Sequence, residues 1–226
     1  LSRDGPTDDE KNVLKPWRKS MWCIPPKQNA AFVAAMEQVL SVYQQPYDPR
    51  FPVVCMDEQP FQLISESRRP LRMQPGQTQK VDYEYIREGS CTIWMFVEPL
   101  AGWREVTVTS TKKAVDWAYQ IRDLVDDPRL ANAVKIILVC DNLNTHFFGS
   151  LYQAFGAEEA FRIMSRIELV HTPKHGSWLN MAEPELSVLT RQCFTDRVGK
   201  QTEVESRCLA WKSDRNKRQK GINWQF

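Results

Sequence analysis

An apolar run in the middle of the chain constrains the fold more than any other sequence feature. The run covers residues 134–140, ends abruptly in Asp141 and is followed by small polar residues. Apolar runs of this length, bounded by turn-forming residues, are typical of strands buried on both faces of a sheet. In open α/β sheets the active sites lie at the carboxyl ends of such strands. The sequence therefore predicts an α/β fold with a functional carboxylate at Asp141.

Two other acidic residues stand in comparable settings. Asp57 closes the apolar run 52–56, and Glu183 follows the polar loop 175–180 at the start of a helical pattern. Mg²⁺ and Mn²⁺ prefer carboxylate oxygens. We therefore predict that Asp57, Asp141 and Glu183 form one metal-binding cluster, in which two ions bridged by an aspartate could support in-line attack on a phosphodiester.

Simpler interpretations of these acids stay open. An acidic residue at the end of a strand is often a turn former or the N-cap of the next helix. The segment from Asn180 to Glu183 also fits a capping box, with Asn180 at the N-cap and Glu183 at the third helical position. Glu58 is interpreted as a solvated neighbour of Asp57, or else as a group that supports the metal ligands.

The three histidines offer a rival site. His146, His171 and His175 could form a mixed aspartate and histidine zinc site, although the sequence has no HExxH pair. His175 could instead contact a phosphate, support the metal ligands or be structural. Trp178 could stack on a base or wedge a DNA end, or it could pack over the start of the helix. The sequence has no GxSxG elbow, which argues against a serine hydrolase of that type. It also has no glycine-rich phosphate loop, which argues against a nucleotide-binding protein of that type.

Composition narrows the class of protein further. A length of 226 residues suits one domain with a small appendage, and the longest apolar run is far shorter than the ~20 residues needed to span a bilayer. Six cysteines without a CxxC pair, and a first segment unlike a signal peptide, predict a cytoplasmic protein with no disulfides. The net charge of +2 is too small to indicate a nucleic-acid partner. However, residues 197–220 hold eight Lys or Arg against three acids.

The order of predicted elements indicates a ribonuclease H-like fold, a mixed five-stranded α/β sheet with three antiparallel strands, then parallel strands, and helices around it. A polar segment over residues 65–90 is expected to be an ordered loop or insertion with a basic face. Strands are expected at 53–56, 91–97, 105–109, 134–140 and 167–171. Helices are expected at 32–43, 112–125, 149–155, 158–164, from Glu183 onward, and around 204–211.

Three segments together resemble the acidic motifs of a known family. CMDE around Asp57, VCDNLNTH around Asp141 and HTPKHGSWLNMAE ending at Glu183 resemble the motifs of DDE transposases. They are most similar to the bacterial insertion-sequence branch of the mariner superfamily. The linking residues 83–109 are also similar to that branch, and the resemblance extends from about residue 14 to the end of the sequence.

The resemblance implies a catalytic domain that cuts and joins DNA at transposon ends with Mg²⁺ or Mn²⁺. It assigns metal ligation to Asp57, Asp141 and Glu183. It also implies a homodimer in the cytoplasm, at the bacterial nucleoid. The residues that would support the ligands are Asn142, Asn144, His146, His175 and Asn180. Those expected to hold DNA phosphates or bases are Arg68, Arg69, Arg72, Lys174, Trp178, Arg215, Lys217 and Arg218.

The sequence departs from the family pattern in two ways. The family carries helix-turn-helix domains ahead of this region, so residues 1–48 are expected to be an arm and helix that link to such a domain. Residues 49–198 would be the catalytic domain, and residues 199–226 a basic helix and tail. Pro184 replaces an apolar residue. If Glu183 is the N-cap of the helix, Pro184 takes the first helical position, which suits proline. If Asn180 is the N-cap, Pro184 would remove the first-turn hydrogen bond to Asn180.

Two alternative functions accompany the transposase hypothesis. One is a catalytically inactive or domesticated DNA-binding domain of the same fold. The other is a nuclease that cuts DNA but never joins strands. Metal-dependent cleavage distinguishes the first alternative from an active enzyme, and a strand-transfer assay distinguishes the second.

Overall fold

The computed structural model describes residues 30–218 and 221–222. The expected arm over residues 1–29 therefore lies outside the described residues. The strands are β1 (Val53–Glu66), β2 (Tyr85–Glu98), β3 (Trp103–Thr109), β4 (Ile136–Cys140) and β5 (Ile167–His171). The α-helices are α1 (Ala30–Tyr43), α2 (Ala114–Val125), α3 (Gly149–Ala154), α4 (Ala157–Arg166), α5 (Ala182–Cys193) and α6 (Gln201–Arg218). Short 3₁₀ helices cover Pro128–Leu130 and Ser177–Leu179.

The five strands form one mixed sheet in the order β3-β2-β1-β4-β5. The pairs β1–β2 and β2–β3 are antiparallel, whereas β4 pairs in parallel with both β1 and β5. All five residues of β4 are buried, because helices cover both faces of the sheet there. The predicted arrangement of three antiparallel strands followed by parallel strands is confirmed.

The core has two layers, one on each face of the sheet. Helices α1, α5 and α6 pack on one face, and helices α2, α3 and α4 pack on the other. Successive side chains of a strand point to opposite faces. In β1, Cys55 lies in the first layer and Met56 in the second. By the same alternation Asp57 points to the side of α5, and Glu58 points to the side of α2.

Strand β1 is much longer than the sequence predicts. It continues ten residues past Met56 to Glu66, paired throughout with β2, so Asp57 lies in mid-strand and the expected loop 65–90 shrinks to the segment between the strands. Beyond Cys55, β4 no longer pairs with β1. Such an unpaired edge tolerates polar side chains and Pro60, which hide this half of the strand from pattern analysis.

Helix α6 is also longer than expected, with 18 residues. Its buried residues are Val204, Cys208 and Trp211, a stripe only one residue wide on an otherwise polar helix. The polar turns on either side gave no apolar signal, so the sequence predicted only the centre of the helix. The buried stripe joins the core of the first layer, and α6 is therefore part of the same folded unit.

The loop end of the β1–β2 hairpin is fastened to the connection between α5 and α6. Arg197 donates hydrogen bonds to the Glu66 carboxylate at 2.9 Å and to the Glu84 carbonyl at 2.7 Å. The backbone N–H of Ile64 donates to the Val198 carbonyl at 2.9 Å. The end of α5 is thus tied to the strand that carries Asp57. Within the described residues, no helix combines the length and apolar character needed to cross a membrane.

Candidate metal centre

The parallel pairing of β1 with β4 brings two of the predicted acids together. Val53 is paired with Ile137, and Cys55 with Val139. Extended two residues past the last pair, the same register brings Asp57 near Asp141, and the Asp141 charge acts on the Asp57 carboxylate. Both carboxylates therefore lie where β4 ends and β1 continues, as the sequence predicts for a site at the carboxyl ends of parallel strands.

Glu183 is brought to the same edge by Asn180. The Asn180 side chain is buried; its Nδ2 donates to the Met56 carbonyl at 2.8 Å, and its Oδ1 accepts from the Ala182 N–H at 3.1 Å. One amide thus joins the start of α5 to the residue that precedes Asp57. Glu183 and Asp57 line a common cavity of about 370 Å³.

Replacing Asn180 by alanine is expected to lower the free energy of unfolding by about 1–3 kcal/mol, because a buried carbonyl and a helix-start N–H lose their partner. Urea unfolding measures the loss. Replacement of the exposed Asn144 by alanine is the matched control, expected to change stability by less than about 0.5 kcal/mol. Equal stability of Asn180→Ala and the parent chain would contradict this role.

Pro184 fits the helix in a way that neither expected alignment foresaw. The N-cap of α5 is Met181, so Pro184 is the third helical residue. The N–H groups of the first turn have no intrahelical acceptor, and proline costs no helical hydrogen bond there. The predicted capping box is also wrong, because the Asn180 side chain bonds the Ala182 N–H. Pro184 therefore leaves the position of Glu183 at the helix start intact.

The carboxylates of the acidic cluster repel one another, and a bound cation would reduce this repulsion. Burial, together with the smaller effect of the charges of Glu58, Asp141 and Glu183, raises the pKa of Asp57 to about 7 despite a hydrogen bond from the Glu58 N–H. Several carboxylates around one point are the donor set that Mg²⁺ and Mn²⁺ prefer. The residues present therefore fit a hard divalent cation.

Glu58 is not the solvated neighbour that the sequence suggested. Its side chain is 3% exposed, and its Oε2 lies 3.3 Å from Nε2 of His146. The other ring nitrogen of His146, Nδ1, lies 2.5 Å from Oδ1 of Asp141. Burial alone would lower the pKa of His146, but the contacts with Asp141 and Glu58 outweigh it and raise the pKa to about 9. The second interpretation of Glu58, as a supporting group, is the one that this geometry favours.

The closest grouping of possible ligand atoms differs from the predicted triad. In the described part of the chain, one group of three has its ligand atoms within 4.8 Å of one another, and it consists of Glu58, Asp141 and His146. Glu58 Oε2 and Asp141 Oδ1 are buried, and each lies next to a ring nitrogen of His146. Ligation of a cation by Asp57, Asp141 and Glu183 stays a prediction.

The other histidines do not join this group. His171 Nδ1 lies 3.3 Å from the backbone oxygen of Asp141, and His175 is exposed in a left-handed backbone conformation with φ 65°. His175 and Lys174 line a cavity with Asn142 beside Asp141. His171 and His175 thus lie outside the group formed by Glu58, Asp141 and His146.

The loops beside the cluster are accessible. Asn142 and Asn144 are exposed in the segment after β4, and Lys174 is exposed before the 3₁₀ helix that contains Trp178. The exposed fraction of Trp178 is 44%, so much of its ring is open to a ligand. These exposed side chains surround the edge of the sheet that carries Asp141.

The basic residues expected to hold DNA fall into two groups. Some are engaged in ion pairs: Arg215 with Glu185 at 2.7 Å, and Arg218 with Asp214 at 2.8 Å. Arg68 contacts Asp82 at 3.2 Å, although 81% of its side chain is exposed. Others lie on the surface, namely Arg69, Arg72 and Lys217. Much of the positive charge of α6 thus serves the fold.

Comparison with solved structures assigns the fold. The Mos1 mariner paired-end complex with Mn matches with a TM-score of 0.60 and 15% identity, over 91% of this chain and 61% of that chain. The Mos1 strand transfer complex matches with a TM-score of 0.57 and 14% identity, over 91% and 60%. The catalytic domain of Mos1 mariner transposase matches with a TM-score of 0.54 and 11% identity, over 84% and 85%.

At these identities the likeness concerns the fold, and this chain spans about three fifths of the chains in the two complexes. The mixed sheet with helices on both faces and an acidic cluster where β4 ends define a ribonuclease H-like domain. A family model described as DDE superfamily endonuclease matches residues 52–205, more than half of the sequence. The chain belongs to the DDE superfamily of endonucleases. No curated protein sequence matches it.

Proposed function

We propose that this chain is the catalytic part of a metal-dependent DNA transposase, which cleaves DNA at transposon ends and joins the 3′-hydroxyl ends to target DNA. The observation that carries the proposal is the convergence of Asp57, Asp141 and Glu183 at one edge of a ribonuclease H-like sheet, in a member of the DDE endonuclease superfamily. Solved structures of similar fold are described as paired-end and strand transfer complexes of a mariner transposase.

The three acids would hold Mg²⁺ or Mn²⁺, and we propose two ions. Bound there, such ions would supply activation of the attacking oxygen and stabilisation of the leaving one. The chain's own contribution is placement: Asn180 fixes the start of α5 against β1, and the pairing of β1 with β2 fixes Asp57. The exposed Asn142, Asn144 and His175 lie close to where a DNA strand would pass.

DNA is the proposed partner. Lys174 and Trp178 are exposed in the loop that precedes Glu183, where they could contact a phosphate and a base. Arg68, Arg69 and Arg72 offer a second basic surface on the segment between β1 and β2. Because transposition joins two ends, we also propose a homodimer, acting in the bacterial cytoplasm at the nucleoid.

Replacing Lys174 by alanine is expected to weaken duplex DNA binding and to reduce the slope of log K against log salt by about 1, because one phosphate contact is lost. Fluorescence anisotropy across a salt series measures the slope. Trp178→Ala is the matched comparison, expected to weaken binding without changing the slope, since a ring contact releases no counterion. An unchanged slope for Lys174→Ala would place the phosphate path elsewhere.

Plasmid nicking tests the proposed function directly. The chain is incubated with supercoiled plasmid and Mn²⁺ or Mg²⁺, with EDTA as the reference, and a labelled oligonucleotide with a free 3′-hydroxyl reports strand joining. Metal-dependent nicking with joining supports the transposase. Nicking without joining would favour a nuclease, and DNA binding without nicking would favour an inactive DNA-binding domain.

A further inference from the structure

A buried imidazole lies behind Asp141, on the face of the sheet opposite to Asp57. The side chain of His146 is fully buried, that of Glu58 is 3% exposed, and the two contact each other at 3.3 Å. The ring of Trp117 stacks on the imidazole, with centroids 5.9 Å apart and planes at 26°. These contacts confine the imidazole to one place and one orientation.

Both nitrogens of this imidazole face acceptors. Nδ1 lies 2.5 Å from Oδ1 of Asp141 and 3.3 Å from the Asp141 backbone oxygen, and a carbonyl oxygen can only accept. Nε2 faces the Glu58 carboxylate. The ring is thus placed to donate to Asp141 on one side and to Glu58 on the other.

A metal ion held directly by Glu58, His146 and Asp141 is the rival interpretation of this group. Ligand atoms that share one ion lie roughly 3 Å or more apart, because each is about 2.0–2.2 Å from the metal. The distance of 2.5 Å between His146 Nδ1 and Asp141 Oδ1 is shorter than that and suits a charge-assisted hydrogen-bonding contact. The group is therefore better explained as a support for Asp141 than as a cage for an ion.

The contact with His146 gives the two carboxylate oxygens of Asp141 different surroundings. Oδ1 is buried, yet 32% of the Asp141 side chain is exposed, so the accessible area comes from its other atoms. Oδ2 is thus the oxygen left for a cation. A carboxylate held in this way keeps one rotamer and presents one oxygen.

We propose that Glu58 and His146 are a positioning pair for Asp141: Glu58 orients the imidazole, the imidazole holds Oδ1, and Oδ2 faces the metal. The inference rests on the proposed function and assigns a task to Glu58, which points to the opposite face of β1 from Asp57. Partners of this kind behind a metal ligand typically change metal affinity or activity 10–100-fold.

Two polar replacements of His146 separate positioning from packing. The amide of asparagine lies near the place of Nδ1, and the amide of glutamine near that of Nε2. His146→Asn can still donate to Asp141, whereas His146→Gln can reach only Glu58. In calorimetry with Mn²⁺ we expect His146→Gln to weaken binding about 10–100-fold and His146→Asn to recover at least about a tenfold part of that loss. Equal losses in the two variants would indicate packing alone and would overturn the proposal.

The sign of the change separates positioning from simple electrostatics. If net charge alone mattered, removal of the imidazole would not weaken Mn²⁺ binding, and removal of the Glu58 carboxylate would weaken it. Positioning predicts that both His146→Gln and Glu58→Ala weaken it. Because the two residues act through one another, Glu58→Ala should add little further loss in the His146→Gln background. Binding by His146→Gln as tight as that of the parent chain would overturn the proposal.

Controls keep this test apart from that of the proposed function. Circular dichroism confirms folding at the working temperature, Glu158→Gln on the exposed face of α4 is the matched control, and Glu58→Gln replaces Glu58→Ala if that variant does not fold. Parent binding that Asp141→Asn abolishes but Glu58→Ala and His146→Gln leave unchanged would overturn this inference alone. A folded parent chain that binds no Mn²⁺ would overturn the proposed function, and this inference with it.

Discussion

The variant Asp141→Asn is expected to cleave plasmid DNA at least about 10³-fold more slowly than the parent chain in Mn²⁺. The substitution keeps the size of the side chain and removes the charge, both from the proposed metal ligand and from the partner of His146. Charge stabilisation by a bound metal is worth several kcal/mol, and about 1.4 kcal/mol corresponds to a tenfold change in rate. Single-turnover nicking measures the rate, and calorimetry on the same samples measures the lost Mn²⁺ affinity.

A second aspartate provides the matched control for that experiment. Asp123 on α2 is 57% exposed and pairs with its neighbour Arg122 at 2.7 Å. Asp123→Asn makes the same chemical change and should leave the nicking rate within about twofold of the parent, since surface pairs of this kind contribute little. If Asp141→Asn kept more than a tenth of the parent rate while folded, Asp141 would not be an essential ligand.

The second large effect concerns stability. Glu185 on α5 is 8% exposed. Its carboxylate accepts a hydrogen bond from Arg104 of β3 at 3.0 Å and two from Arg215 of α6 at 2.7 and 2.9 Å. The Arg104 side chain is itself only 3% exposed. Replacing Glu185 by alanine is expected to lower the free energy of unfolding by about 3–5 kcal/mol, because it leaves buried positive charge without its carboxylate. Urea unfolding at neutral pH measures the change.

An exposed ion pair on α6 sets the scale for this prediction. Asp214 and Arg218 pair at 2.8 Å with 59% and 62% of their side chains exposed. Asp214→Ala should lower the free energy of unfolding by no more than about 0.5 kcal/mol, because exposed pairs gain little in water. Similar losses of stability for Glu185→Ala and Asp214→Ala would show that the ion pairs of Glu185 stabilise the fold no more than an exposed pair does.

The elements that the sequence predicted well are those whose own residues show a clear apolar pattern. The run that ends at Asp141 is apolar because helices cover both faces of the sheet around β4, whereas the edge strand Ile167–His171 fully buries only Ile167 and Val170. The parallel pairing of β1 with β4 agrees with the expected order of strands. In each case a local pattern reflects a local environment.

What the sequence did not predict depends on partners far away in the chain. Glu58 is buried where His146, 88 residues later, faces it. Nothing in the sequence around Glu58 indicates this burial. Arg215 was expected to hold DNA, yet it pairs with Glu185, 30 residues earlier. A basic residue has the same sequence signature whether it faces solvent or a buried carboxylate, so only the folded arrangement distinguishes them.

The extension of β1 past the end of β4 makes the three acids mechanically unequal. Asp57 is clamped in mid-strand opposite Met95, whereas Asp141 leaves the sheet at the last paired residue of β4, and Glu183 is exposed at the tip of a helix. Asp57 is thus fixed by the sheet and Asp141 by its contact with His146, so the carboxylate of Glu183 at the helix start has the most freedom of adjustment. In a centre that held a cation, Glu183 would therefore be the ligand able to adjust its position, while β1 keeps Asp57 in place.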